Sequence, residues 1–180
     1  GARRQIFVVF AGFMMVERFG MDVQQLTTLY LINLILNIGL APLLGRAVAR
    51  YGERNALVLE YFGLALVFFA YGGIYLFGWG ILIAASLYIL DHLFFALALA
   101  IKTYFQKIAD PKDIAATAAV AFTINHIAAI FLPVSLGFLW LKSPFLVFCT
   151  AGTLAIFSFV LALLIPREPR IGKETIFCVS

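Results

Sequence analysis

Residues 80–102 read GILIAASLYILDHLFFALALAIK. A helix rising about 1.5 Å per residue crosses a bilayer core with about 20 mostly apolar residues. This stretch has that length, and the ionisable groups between its ends are Asp91 and His92. Asp91 lies 11 positions after Gly80 and 11 before Lys102, at the centre of the run. A charge at that depth costs about 2.5–3.5 kcal/mol or more, so it is expected to face a cavity or other polar groups.

Read outward from there, the chain divides into six such runs, at about 5–21, 24–45, 55–76, 80–102, 114–140 and 144–166. The breaks carry charge, Gly, Pro or Trp, with Trp79 and Trp140 at run ends, where an amphipathic ring prefers the headgroup layer. The fifth run is long enough to tilt or bend at Pro133. Of the 180 residues, 64% are apolar and 12% charged, about half the charged fraction of a soluble domain. A soluble chain of this size could not hide that much apolar surface. The expected fold is all-α: a six-helix transmembrane bundle over 1–166, followed by a tail over 167–180.

Lys and Arg set the orientation. Arg3, Arg4, Arg46, Arg50, Arg54, Lys102, Lys107, Lys112, Arg167, Arg170 and Lys173 fall on one side, 11 of the 13. Arg18 and Lys142 fall on the other. Both termini and the tail are therefore expected in the cytoplasm, with the chain in a cell (inner) membrane. The net charge of +4 follows from this topology and calls for no nucleic acid. Cys149 and Cys178 have no spacing that suggests a disulfide framework or a metal knuckle. No cofactor is implied.

Three runs carry polar groups at one depth. Asn33 lies 11 residues after Asp22 and 13 before Arg46, and His126 lies 13 after Asp113 and 14 before Trp140. On a helical wheel, Tyr30, Asn33 and Asn37 share a stripe about 60° wide. Tyr88, Asp91, His92 and Phe95 share an arc of about 100°. Phe122, Asn125 and His126 share a face with alanines 115, 118, 119 and 129, which leave room for a neighbouring helix or a substrate. Carboxyl groups out of water favour the neutral, protonated form, the property a proton carrier uses. Asp91 is the candidate carrier, with His92 and His126 as relays. Asn33, Asn37, Asn125, Tyr30 and Tyr88 would hydrogen-bond a small polar solute. The asparagines equally suit bonds between helices. Glu60, six residues past Arg54, is expected to snorkel to the edge or pair with an arginine.

Between the second and third runs stands GRAVARYGER, Gly45 to Arg54. Gly45 and Gly52 would allow a tight reversal, and the arginines would pin it to the cytoplasmic face. This loop resembles the short cytoplasmic signature of the major facilitator superfamily: a Gly, a basic residue five positions on, then Gly and a basic cluster. The family pattern has Asp where this chain has Ala49. The resemblance implies the C-terminal six-helix half of a transporter, with Gly45, Arg50, Gly52 and Arg54 at an inward gate. It also implies a second six-helix bundle, either earlier in the same chain or in a second copy. Ile32-Asn33-Leu34-Ile35 with Pro42 and Gly45 is echoed by Ile124-Asn125-His126-Ile127 with Pro133 and Gly137, in runs of opposite direction. Inverted repeats within a transporter half have that relation.

The expected function is proton-coupled movement of a small solute, without enzymatic activity. The alternatives are a six-span homodimer of another kind. One is a divalent-metal transporter using Asp91, His92 and His126, although adjacent helical residues diverge by about 100°. The others are an intramembrane enzyme or a scaffold. The Gly-x-Ser-Gly turn of rhomboid-type proteases is absent, and a scaffold gains little from midplane charge.

Overall fold

The computed structural model describes residues 6–171 and 174–177; Arg3, Arg4, Lys173 and Cys178 lie outside them. Among the described residues the fold is helical, with no strand. A π-helical segment, Ile6–Ala11, leads into α1, Gly12–Phe19, and then come α2, Val23–Tyr51, and α3, Glu53–Phe77. Next are α4, Ile81–Ala96, and α5, Leu99–Ile108. A 3₁₀ turn at Pro111–Asp113 precedes α6, Ile114–Lys142, and α7, Pro144–Leu163. By length and composition, α2, α3, the joined α4–α5 stretch, the Pro111–Lys142 stretch and α7 can each cross a membrane. The expected run at 5–21 is represented by Ile6–Phe19, which is shorter than these five.

Helix ends follow local chemistry. Asp22 accepts from the Gln25 backbone at 2.7 Å, and Gln25 returns the bond to the Asp22 backbone at 3.1 Å, closing a capping box on α2. Gly20 and Gly78 end α1 and α3 at φ 65° and 67°, which a side chain would resist. Inside the long helices, Ser86, Thr123, Thr150, Thr153 and Ser158 each donate to the carbonyl four residues back, at 2.8–3.0 Å. A hydroxyl without water is satisfied on its own helix in this way.

The centre of the bundle is the α3–α7 pair. Small residues let the two approach: Gly72 of α3 takes the ring of Phe145, and Gly152 of α7 takes the ring of Phe69. In its most apolar window α3 is 61% buried, against 11% for α2 and 6% for the stretch containing α6. These two outlying helices are alike in build. Each has 29 residues, with a proline 19 positions after its first residue, Pro42 and Pro133.

Two expectations change here. Gly45 does not turn the chain, because α2 runs through it to Tyr51. The residues after Gly45 form helix readily, and Gly52 alone makes the reversal, at φ 83° and ψ 158°. The run at 80–102 is also not one helix. It breaks at Leu97–Ala98, where four bonds shorten to the i→i−3 pattern, and continues to Ile108.

Candidate functional site

Asp91 is placed by the α4 stripe Ala84, Tyr88 and Asp91, spaced i, i+4, i+7, all buried. Asp91 as a whole is 2% exposed. From α3, a matching stripe of Glu60, Leu64, Val67, Tyr71 and Ile74 is also buried. Tyr71 lies within electrostatic reach of Asp91 and Tyr88, and Tyr88 within reach of Tyr30. From α2, Tyr30 meets the edge of the His92 ring with centroids 6.4 Å apart. Asn33, one turn on, is 1% exposed. Helices α2, α3 and α4 thus share a buried polar layer at mid-height.

Of the residues expected at the site, Asp91, Tyr88 and Asn33 are buried in this layer, while His92 is half-buried and Tyr30 is 51% exposed at its edge. Asn37 is half-buried on α2. Asn125 and His126 do not join it. Helix α6 packs on α7, the Pro111–Asp113 turn and the Ile6–Ala11 segment. Both side chains are exposed there, and His126 Nδ1 lies 2.9 Å from the Phe122 carbonyl of its own helix. No three potential metal ligands gather among the described residues, so Asp91, His92 and His126 form no common metal site.

Glu60 does not snorkel, because its exposure is 0%. Tyr71 was not anticipated from sequence. It lies 11 residues after Glu60, about 20° away on a helical wheel, so a wheel drawn through Glu60 points to it.

The two ends of the bundle differ. At one end Arg54 donates to the Leu163 carbonyl at 3.2 Å, and Lys107 pairs with Glu53 at 2.6 Å. Tyr104 donates to the Glu174 carbonyl at 2.6 Å, and the Ile176 N–H to that of Leu164 at 3.0 Å, so the tail lies over α5 and α7. Arg50 stacks beside Tyr51, with its guanidinium carbon 5.6 Å from the ring centroid. At the other end Trp140 donates to the Glu17 carboxylate at 2.9 Å, and Arg18 sits over the Tyr75 ring. The fold and site define an all-helical chain able to cross a membrane, with ionisable groups buried at its centre. No family model, curated protein or solved structure matches the sequence.

Proposed function

We propose that the protein is a secondary active transporter, in which this bundle rocks against a second bundle to carry a small solute together with a proton. The observation that carries the reading is Asp91: an acidic residue, 2% exposed, inside the joined α4–α5 stretch, which is apolar enough to span a membrane. Such groups mark ion and proton pathways. His92 and Tyr30 at its side would relay the proton or touch the solute.

A second bundle is supported by what α2 and α6 present. These least-buried helices carry Tyr30, Asn125 and His126 on open surfaces. Polar groups are costly against lipid, and a partner bundle would cover them while leaving a path between. The likeness of α2 and α6 supports an inverted repeat, and the Gly45–Arg54 stretch retains its resemblance to the major facilitator superfamily. In this reading Arg50, Gly52 and Arg54 belong to an inward gate on the cytoplasmic side of a cell membrane.

The test uses liposomes holding the protein, its partner bundle and an internal pH dye, challenged with sugars, amino acids and organic acids. At least one solute moves protons with the wild type, and Asp91→Asn abolishes that movement while its unfolding temperature holds. Equal proton flux in the two proteins rejects the proton assignment.

A further inference from the structure

Asn33 and Tyr71 are both buried in the core, and their side chains have no hydrogen-bond partner among the described residues. Asn33 is 1% exposed, and neither its amide nitrogen nor its oxygen is bonded. Tyr71 is 0% exposed, and its hydroxyl is unbonded. Leaving such a group unsatisfied costs about 1–3 kcal/mol, and buried polar groups are nearly always bonded to protein or to ordered water. Phe at position 71 would keep the ring contact with Phe148, at 5.1 Å, without that cost.

These groups sit on helices that pack on one another. Tyr71 lies within electrostatic reach of Asp91. Leu29, one turn before Asn33 on the same face of α2, packs in the same core cluster as Tyr71 and Tyr88. Helix α2 itself packs on both α3 and α4. An amide needs both a donor and an acceptor, and a hydroxyl needs at least an acceptor. Water is the small ligand that supplies all of these.

We propose that Asn33, Tyr71 and Asp91 line a buried water site between α2, α3 and α4. The water completes the bonds that the amide and the phenol lack, and it links the Asp91 carboxyl group to both neighbours. It also gives that carboxyl group a route for proton exchange at a depth where bulk water is absent. The site does not depend on transport and would exist in the resting protein.

Hydroxyl radicals generated from water by a brief X-ray pulse label side chains beside bound water, even buried ones. The full chain in lipid nanodiscs, with no solute added, is pulsed and mapped by mass spectrometry. Phe68 and Phe148 serve as references, being 1% and 0% exposed. Tyr71 is labelled severalfold faster than either, and Asn33→Leu lowers the Tyr71 rate severalfold while leaving Phe68 unchanged. A Tyr71 rate no higher than that of Phe68 overturns the site. An unchanged Tyr71 rate in a folded Asn33→Leu protein overturns the part given to Asn33. Neither result bears on proton flux, so this site and the transport reading stand or fall separately.

Discussion

Lys107 Nζ lies 2.6 Å from Glu53 Oε1, and the two side chains differ tenfold in exposure, 52% against 5%. The pair is therefore lopsided. Glu53 stands in the first turn of α3, where a helix end favours negative charge, but its carboxylate is out of water. Lys107→Ala leaves that carboxylate buried without its cation and is expected to cost about 1–3 kcal/mol. Glu53→Gln leaves an exposed ammonium group that water can serve, and is expected to cost under about 1 kcal/mol. Urea unfolding of both variants in the same detergent checks the asymmetry. Equal costs would mean that the pair behaves as a surface contact.

Gly52 and Gly45 make opposite predictions from one stretch of chain. Gly52, at φ 83° and ψ 158°, occupies a region open essentially to glycine alone, where another residue costs about 1–3 kcal/mol. Gly45 lies inside α2, and a Cβ there meets nothing within 4 Å. Gly52→Ala should therefore destabilise by that amount. Gly45→Ala should stabilise by about 0.5–1 kcal/mol, as glycine replacement in a helix interior does. Melting temperatures of the two variants, measured side by side, decide it. The reverse order would return the turn to Gly45.

This pair also shows what could be read beforehand. The central place of Asp91 was legible because depth in a span is a matter of counting, and an acid in an apolar run stands out. The junction between α2 and α3 was less so. Two glycines and a basic cluster announce a turn, yet the choice between them rests on backbone angles that composition does not carry. The break at Leu97–Ala98 has no Pro or Gly to announce it. Asn125 and His126 share the depth of Asp91 but lie on a helix that packs elsewhere. Depth and face are local properties, whereas which helices become neighbours depends on packing such as Gly72 against Phe145. Tyr71 went unseen because an aromatic in an apolar helix is ordinary until its hydroxyl is found unbonded.

Gly63 holds α3 against α4 by leaving room for the Phe94 ring, which a Cβ at position 63 would overlap. A core with no spare space pays about 1–3 kcal/mol for an added methyl group. Gly63→Ala should cost that much, and because Phe94 follows Asp91 by three residues on α4, the polar layer should shift with it. Phe94→Leu in the same chain removes ring atoms from the overlap and should recover a large part of the loss. Unfolding measurements on the two singles and the double variant give the coupling directly. Additive costs would show that the two helices separate without difficulty.

Trp140 ties together the opposite end of the bundle. Its ring stacks on Phe10 at 5.5 Å and meets Tyr75 and Phe148 edge-on at 6.1 and 5.8 Å, while its N–H reaches Glu17 at 2.9 Å. Packing and the hydrogen bond can be separated by substitution. Trp140→Phe keeps an aromatic ring and loses the bond to a carboxylate, an expected cost of about 1.5–3 kcal/mol. Trp140→Ala also empties the space between the Ile6–Ala11 segment, α3 and α7, and the cost should rise to about 3–5 kcal/mol. Glu17→Gln retains an acceptor for the N–H and should stay within about 1 kcal/mol of wild type. Urea unfolding in one detergent, followed by the loss of helical circular dichroism, ranks the three. If Trp140→Ala and Trp140→Phe cost the same, the ring contacts contribute little, and the bond to Glu17 alone holds α1 to α6.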